Sequence, residues 1–108
     1  MTTTLPQVQD LPELDRLLID PTRLLIAAAL VRPASHRVDE VADAVGVTRT
    51  ELLRHLRRLR EGGYVKTYRD ERQRTWANLT GEGEERLVGH LQALRVLIGQ
   101  VDTLVLGR

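Results

Sequence analysis

The chain has 108 residues and is 42% apolar, yet it holds one Trp, two Tyr and no Phe, so its core must be built from Leu, Val, Ile and Ala, a composition that favours helices. It contains no cysteine, which excludes disulfides, thiolate zinc sites and thiol redox sensing. The net charge is only +1 but is unevenly spread: −3 over residues 1–47, +5 over 48–74 and −1 over 75–108, with arginine supplying every basic side chain except Lys66.

The opening MTTTLPQVQD has no basic run followed by an apolar stretch, so it does not read as a signal peptide. No apolar run approaches the ~20 residues that cross a bilayer, and the expectation is a cytoplasmic protein without membrane contact. Residues 1–10 are expected to be flexible. Asp10 is placed to cap a short helix, with Pro12 in its first turn and Leu14, Leu17 and Leu18 on its apolar side. Asp20-Pro21 is a second start signal, a capping carboxylate followed by a residue that needs no amide partner. Arg23 to Val31 is apolar almost all round and reads as a buried helix ended by Pro33.

Ser35-His36-Arg37 reads as a connector. Val38, Val41, Ala42 and Val45 recur at helical spacing, and Gly46 stands where a left-handed residue closes a helix. Thr48 with Glu51 forms a capping box for a second helix, TRTELLRHLRRLR, which Gly62-Gly63 stops. Helix, glycine turn and capped helix make a helix-turn-helix. Tyr64 to Arg69 and Arg74 to Leu79 then alternate around the polar turn Asp70–Gln73, the pattern of a β-hairpin, with Trp76 expected to plug the core beneath it. Thr80 caps a last helix from Glu82 to about Leu104. There Leu87, Leu91, Leu94, Ile98, Val101 and Val105 repeat at intervals of four and three, an a/d seam expected to pair two copies of the chain.

At 100° per residue, Leu52, Leu56 and Leu59 share one side of the Thr48–Arg60 helix, while Thr50, Arg54, Arg57 and Arg58 lie opposite. An apolar back, a cationic front and an adjacent basic ribbon suit the groove of duplex nucleic acid. Arg49, Thr50 and Arg54 belong to the part of the helix that meets base edges and Arg57 and Arg58 to the part that meets phosphate, with the capping Thr48 a further DNA-binding candidate. His55 lies between the two faces and can either bond a phosphate or fill the helix–hairpin junction. On the ribbon, Arg72 and Arg74 are the residues placed to enter the minor groove, with Arg69 a further DNA-binding candidate and Asp70 and Glu71 opposing such a role. The three histidines fall on different segments without ligand spacing, so no metal, cofactor or enzymatic site is expected.

The segments LDRLLIDPTRLLIAAAL, VGVTRTELLRHLRRLREGGYV, RQRTWANLT and GEGEERL together resemble the winged-helix transcriptional regulators, in particular the short stand-alone branch related to the MarR and ArsR families. The resemblance covers about residues 11–98. It implies a mainly α fold with a small β-hairpin: a winged helix-turn-helix over 11–80 and a dimerisation helix over 81–108 within one domain. It also implies a homodimeric bacterial repressor on a palindromic double-stranded DNA operator, with helix Thr48–Arg60 in the major groove and the wing at Asp70–Arg74 on the minor groove or backbone. Leu53 departs from the small polar residue common at its position. The cysteine pairs and last-helix ligands of metal-sensing relatives are missing. A small-molecule effector is left open. The alternative is a winged helix whose basic face binds an acidic protein.

Overall fold

The computed structural model describes residue 5 and residues 7–31 and 35–107. The anticipated stop at Pro33 lies outside these. The N-terminal segment does not form the regular helix expected after Asp10. It makes two short 3₁₀ turns, Val8–Asp10 and Arg16–Leu18, the second capped by the Asp15 carboxylate accepting from the Leu17 N–H at 3.1 Å. Asp10 ends the first turn instead of capping a helix, and the capping carboxylate of this segment is Asp15.

Helix α1 (Pro21–Ala29) starts as expected: Asp20 accepts from the amides of Thr22 and Arg23, with Pro21 at the first helical position. Strand β1 (His36–Arg37) follows where a bare connector was expected. Helix α2 (Val38–Val45) closes on Gly46 at φ 83°, the left-handed conformation that a side chain resists. Helix α3 (Arg49–Glu61) is capped by Thr48, which accepts from the Glu51 amide and donates its hydroxyl to the Glu51 carboxylate, both at 3.1 Å. Strands β2 (Val65–Arg69) and β3 (Thr75–Leu79) form the hairpin, and helix α4 (Gly81–Leu106) completes the chain.

The sheet therefore has three antiparallel strands in the order β1-β3-β2, with Arg37 opposite Trp76 and Tyr68 opposite Trp76 on the other side. Two residues of β1 carry no periodicity, which is why it reads as a loop. The apolar part of the core is aliphatic apart from Tyr64: Leu18, Ile26, Leu30, Val38, Leu52, Leu56, Leu59, Val65, Ala77 and Leu87 pack together. Each such leucine contributes about 1.5–3 kcal/mol by leaving water.

Trp76 is not the core plug anticipated. It stands half-buried on the outer face of the wing, 6.4 Å from the ring of Tyr68, while its neighbour Ala77 is fully buried. Alternation sends one side of β3 inward, and the close packing of β3 on the helices admits only the smaller residue there. Leu87 is likewise corrected as a subunit-contact residue. It is 3% exposed within the single chain, so the uncovered part of this apolar stripe begins at Leu91.

Helix α4 is 26 residues long, about 39 Å, and runs past the body of a molecule 67 × 25 × 21 Å in extent. Its first half supplies Gly83, Leu87, His90 and Ala93 to the interior. Gly107, read as a frayed end, instead closes the helix at φ 68° by donating its amide to the Thr103 carbonyl. No helix among the described residues is long and apolar enough to cross a membrane.

Candidate nucleic-acid interface

The sequence spacing on α3 dictates two faces, and the fold separates them. Leu52, Leu56 and Leu59 are sealed in the core, whereas Thr48, Arg49, Thr50, Arg54, Arg57, Arg58 and Arg60 are exposed. His55 falls with the leucines at 8% exposure, and its Nδ1 has no hydrogen-bond partner among the described residues. Burial pushes the imidazole below 6.5 and keeps it neutral. The charged groups that act on it are Asp20 and Arg23 at the start of α1 with Arg54 and Glu51 on α3, so His55 is a buried residue on the α1 side of the helix and leaves the set of phosphate-facing residues without filling the helix–hairpin junction.

The arginines are not equivalent. Arg49 donates from Nε to Asp39 on α2 at 2.9 Å, and Arg57 donates to Glu61 at 3.2 Å, one helical turn on. Both pairs are exposed, so each is worth well under about 1 kcal/mol and is readily exchanged for a phosphate. Arg54 and Arg58 have no ion pair among the described residues. Arg60, which sequence reasoning did not select, reaches across to the Thr67 hydroxyl at 3.1 Å. It thereby frames a groove of about 290 Å³ between α3 and the wing, lined also by Arg49, Arg57 and Arg69. A second hollow, on the other flank of α3, is lined by Arg54, Arg57 and Arg58. The exposed helix ridge thus runs between two arginine-lined depressions.

The wing turn is built on Asp70. Its carboxylate accepts from the Arg72 and Arg74 amides at 2.9 Å, from Arg74 Nε at 2.7 Å and from the Trp76 indole N–H at 2.9 Å. These donors, the indole foremost, hold the carboxyl far below the ordinary carboxylate range. The acidic residue read from sequence as opposing a DNA role is therefore the framework of the turn, its charge already spent on four donors. Arg74 is held against Asp70 and lies 5.9 Å over the Trp76 ring. Arg69 and Arg72 are exposed, and among the described residues neither has an ion pair. Gln73 takes φ 63°, which lets the short turn close.

This arrangement, a helix-turn-helix with a cationic second helix followed by a two-stranded wing, is that of a known family. The model of the family described as winged helix DNA-binding domain matches residues 22–98. The chain belongs to that family. Among curated proteins no relative matches it. It is similar to the structure of a transcriptional regulator homologue from Pyrococcus horikoshii OT3, with 29% identity and a TM-score of 0.76, over 82% of this chain and 90% of that one. It is also similar to NolR from Sinorhizobium fredii, with 29% identity and a TM-score of 0.61, over 72% and 76% of the two chains. A MarR-family transcriptional regulator from Silicibacter pomeroyi shares the fold at 17% identity and a TM-score of 0.62, over 82% of this chain and 58% of its own length. The winged-helix family membership accounts for the order of elements and for the exposed α3.

A cluster behind α3 escaped the sequence reading. Asp15 accepts from the Tyr64 hydroxyl at 2.5 Å and from Arg86 Nε at 3.0 Å, and its backbone N–H donates to His90 Nδ1 at 2.9 Å. Burial alone would raise the Asp15 carboxyl. The bonds from Tyr64, the Leu17 amide and Arg86 more than offset this and hold it below its ordinary value. Burial, and then the Asp15 acceptor, push the Tyr64 phenol well above its ordinary value. The partners are 49 and 71 residues apart, so no local pattern announces them. His36, His55 and His90 sit on β1, α3 and α4, and no group of three metal-ligating side chains converges among the described residues.

Proposed function

We propose that this winged-helix protein is a homodimeric regulator of transcription that binds a palindromic double-stranded DNA operator sequence-specifically and represses from it. The observation that carries the reading is the exposed ridge of α3, with Thr50, Arg54 and Arg57 outward and arginines on both flanks. A helix seated in the major groove meets bases at its ridge and a phosphate strand on each side, and this surface has donors for all three. Arg49, Thr50 and Arg54 read bases, with Arg49 exchanging Asp39 for DNA. Arg57, Arg58 and Arg60 hold phosphates. Arg69 and Arg72, on a wing stiffened through Asp70 and Arg74, reach the minor groove.

Dimerisation rests on the second half of α4. Ile98, Val101, Leu104, Val105 and Leu106 are between 41% and 73% exposed, and over Leu94–Leu106 only Arg95 and Asp102 are charged. A helix apolar on more than one side belongs inside an assembly. Pairing along Leu91, Leu94, Ile98, Val101 and Val105 sets two α3 helices about 34 Å apart, one turn of DNA.

The test is a pair of substitutions read on DNA. Arg54→Ala weakens binding to a duplex selected from a random pool more than binding to mixed-sequence duplex, by about 1–3 kcal/mol. Arg57→Ala weakens both equally and lowers the salt slope by about one. Equal losses for the two variants overturn the assignment. Ile98→Asp yields monomers in sedimentation; an intact dimer overturns the seam. Failure of the protein to bind any duplex at low salt, with capture of acidic polypeptides instead, favours a protein-interaction module.

A further inference from the structure

Three residues on one face of α4 and its cap touch the exit of α3 at successive turns. The Thr80 hydroxyl donates to the Gly63 carbonyl at 2.6 Å, and the Thr80 amide donates to the Tyr64 carbonyl at 2.8 Å. Gly83 lies so close to the backbone just before β2 that a Cβ there would stand 2.3 Å from the Tyr64 carbonyl oxygen. Arg86 then reaches Gly62, donating from Nη1 to its carbonyl at 2.5 Å. Gly62 is the residue that ends α3, its amide donating to the Arg58 carbonyl at 3.1 Å and the Gly63 amide to the Arg60 carbonyl at 3.0 Å.

Arg86 does more than the other two. Its Nε and Nη2 both meet Asp15 Oδ2 at 3.0 Å, and its guanidinium lies 4.3 Å from the centre of the Tyr64 ring. One rigid, planar fork therefore joins α4, the last turn of α3 and the N-terminal segment at a single point. The contact on Gly62 also places a cation at the negative end of the α3 dipole. Beyond this point α4 continues for 20 residues, about 30 Å, as a lever whose far half is uncovered.

We propose that Arg86 is a positioning residue that locks the angle between α4 and α3, so that pairing of α4 fixes the separation of two DNA-binding helices. The inference rests on the dimeric DNA-binding reading above. Two linked half-site contacts gain from each other only where the geometry lets both engage at once. Loosening the joint therefore costs two-site binding while leaving each single contact intact.

The experiment uses the full chain and a duplex it selects from a random pool. Affinity is measured for that full site, for an isolated half-site, and for full sites with a base pair inserted or removed at the centre. Wild-type protein prefers the native spacing by about 10-fold or more. Arg86→Gln binds the half-site within about twofold of wild type but loses most of the spacing preference, and Arg86→Lys, which restores a charge without the fork, falls between them. Tyr64→Phe removes a hydrogen bond from the same cluster but leaves Arg86 on Gly62, and it keeps the preference. The proposal is overturned if Arg86→Gln retains the spacing preference, if half-site affinity falls in proportion, or if Tyr64→Phe loses the preference equally. Wild-type protein that selects no duplex overturns the reading of function itself, and this inference with it.

Discussion

Two clusters of the same composition, an aspartate, an arginine and an aromatic ring, sit at opposite sides of α3. In the wing, Asp70, Arg74 and Trp76 lie within seven residues of each other and order one turn. Behind the helix, Asp15, Tyr64 and Arg86 come from three distant segments and fasten them together. Identical chemistry thus has a local consequence in one place and a global one in the other. The difference is the length of chain closed by each bond. The wing cluster closes a loop that the strands already bring near closure, while the Asp15 cluster is formed only when the whole fold is. Exposure differs as well: the Asp15 side chain retains 16% of its surface and Asp70 21%, but the Tyr64 ring is wholly buried whereas Trp76 borders solvent.

The largest expected effect is at Asp15. Asp15→Ala leaves the Tyr64 hydroxyl without its acceptor and the Arg86 guanidinium with the Gly62 carbonyl but no carboxylate, and it lowers unfolding free energy at pH 7 by about 2 kcal/mol, measured by urea titration. Because the folded carboxyl is held below 3.8, the folded state gains from its ionisation above that value. The advantage of wild type over Asp15→Ala therefore shrinks as pH falls through the folded value. A constant difference down to acid pH would break the comparison. Tyr64→Phe removes one neutral donor and costs about 1 kcal/mol by the same measurement.

A smaller effect is expected at His55, buried on α3 outside both clusters. His55 resists protonation when folded, so below its ordinary 6.5 the unfolded chain binds the extra proton and stability falls as pH goes from 7 to 5. His55→Leu flattens that part of the stability–pH curve; an unchanged slope would place the titration elsewhere. The smallest effect on global stability is at the wing. Asp70→Asn leaves the urea midpoint close to wild type but speeds amide exchange of Arg72 and Arg74, whose N–H groups it now holds without a charge. Should Asp70→Asn unfold the protein as readily as Asp15→Ala, the distinction between local and global clusters fails.

The elements read correctly from sequence are those specified within a few residues. Asp20-Pro21, Thr48 with Glu51, and Gly46 set helix ends by hydrogen bonds and backbone freedom that depend on immediate neighbours. The leucine–arginine alternation of α3 likewise announces its two faces, and with them most of the candidate interface. The readings that went astray concern which surface meets which. Trp76 faces outward beside Tyr68, Leu87 is consumed by its own chain, His55 turns to the core, and β1 exists only because β3 has a free edge for it. Periodicity tells which residues share a face of an element and is silent on how far a neighbouring element covers that face. The Asp15–Tyr64–Arg86 joint is the extreme case: its members become neighbours through the packing of α4 on the exit of α3, and long-range closure of that kind leaves no trace in local spacing. Local hydrogen bonding and amphipathic repeat decided the helices, the turn and the cationic ridge; the docking of distant segments decided burial, the third strand and the rigid link between α4 and the helix it carries.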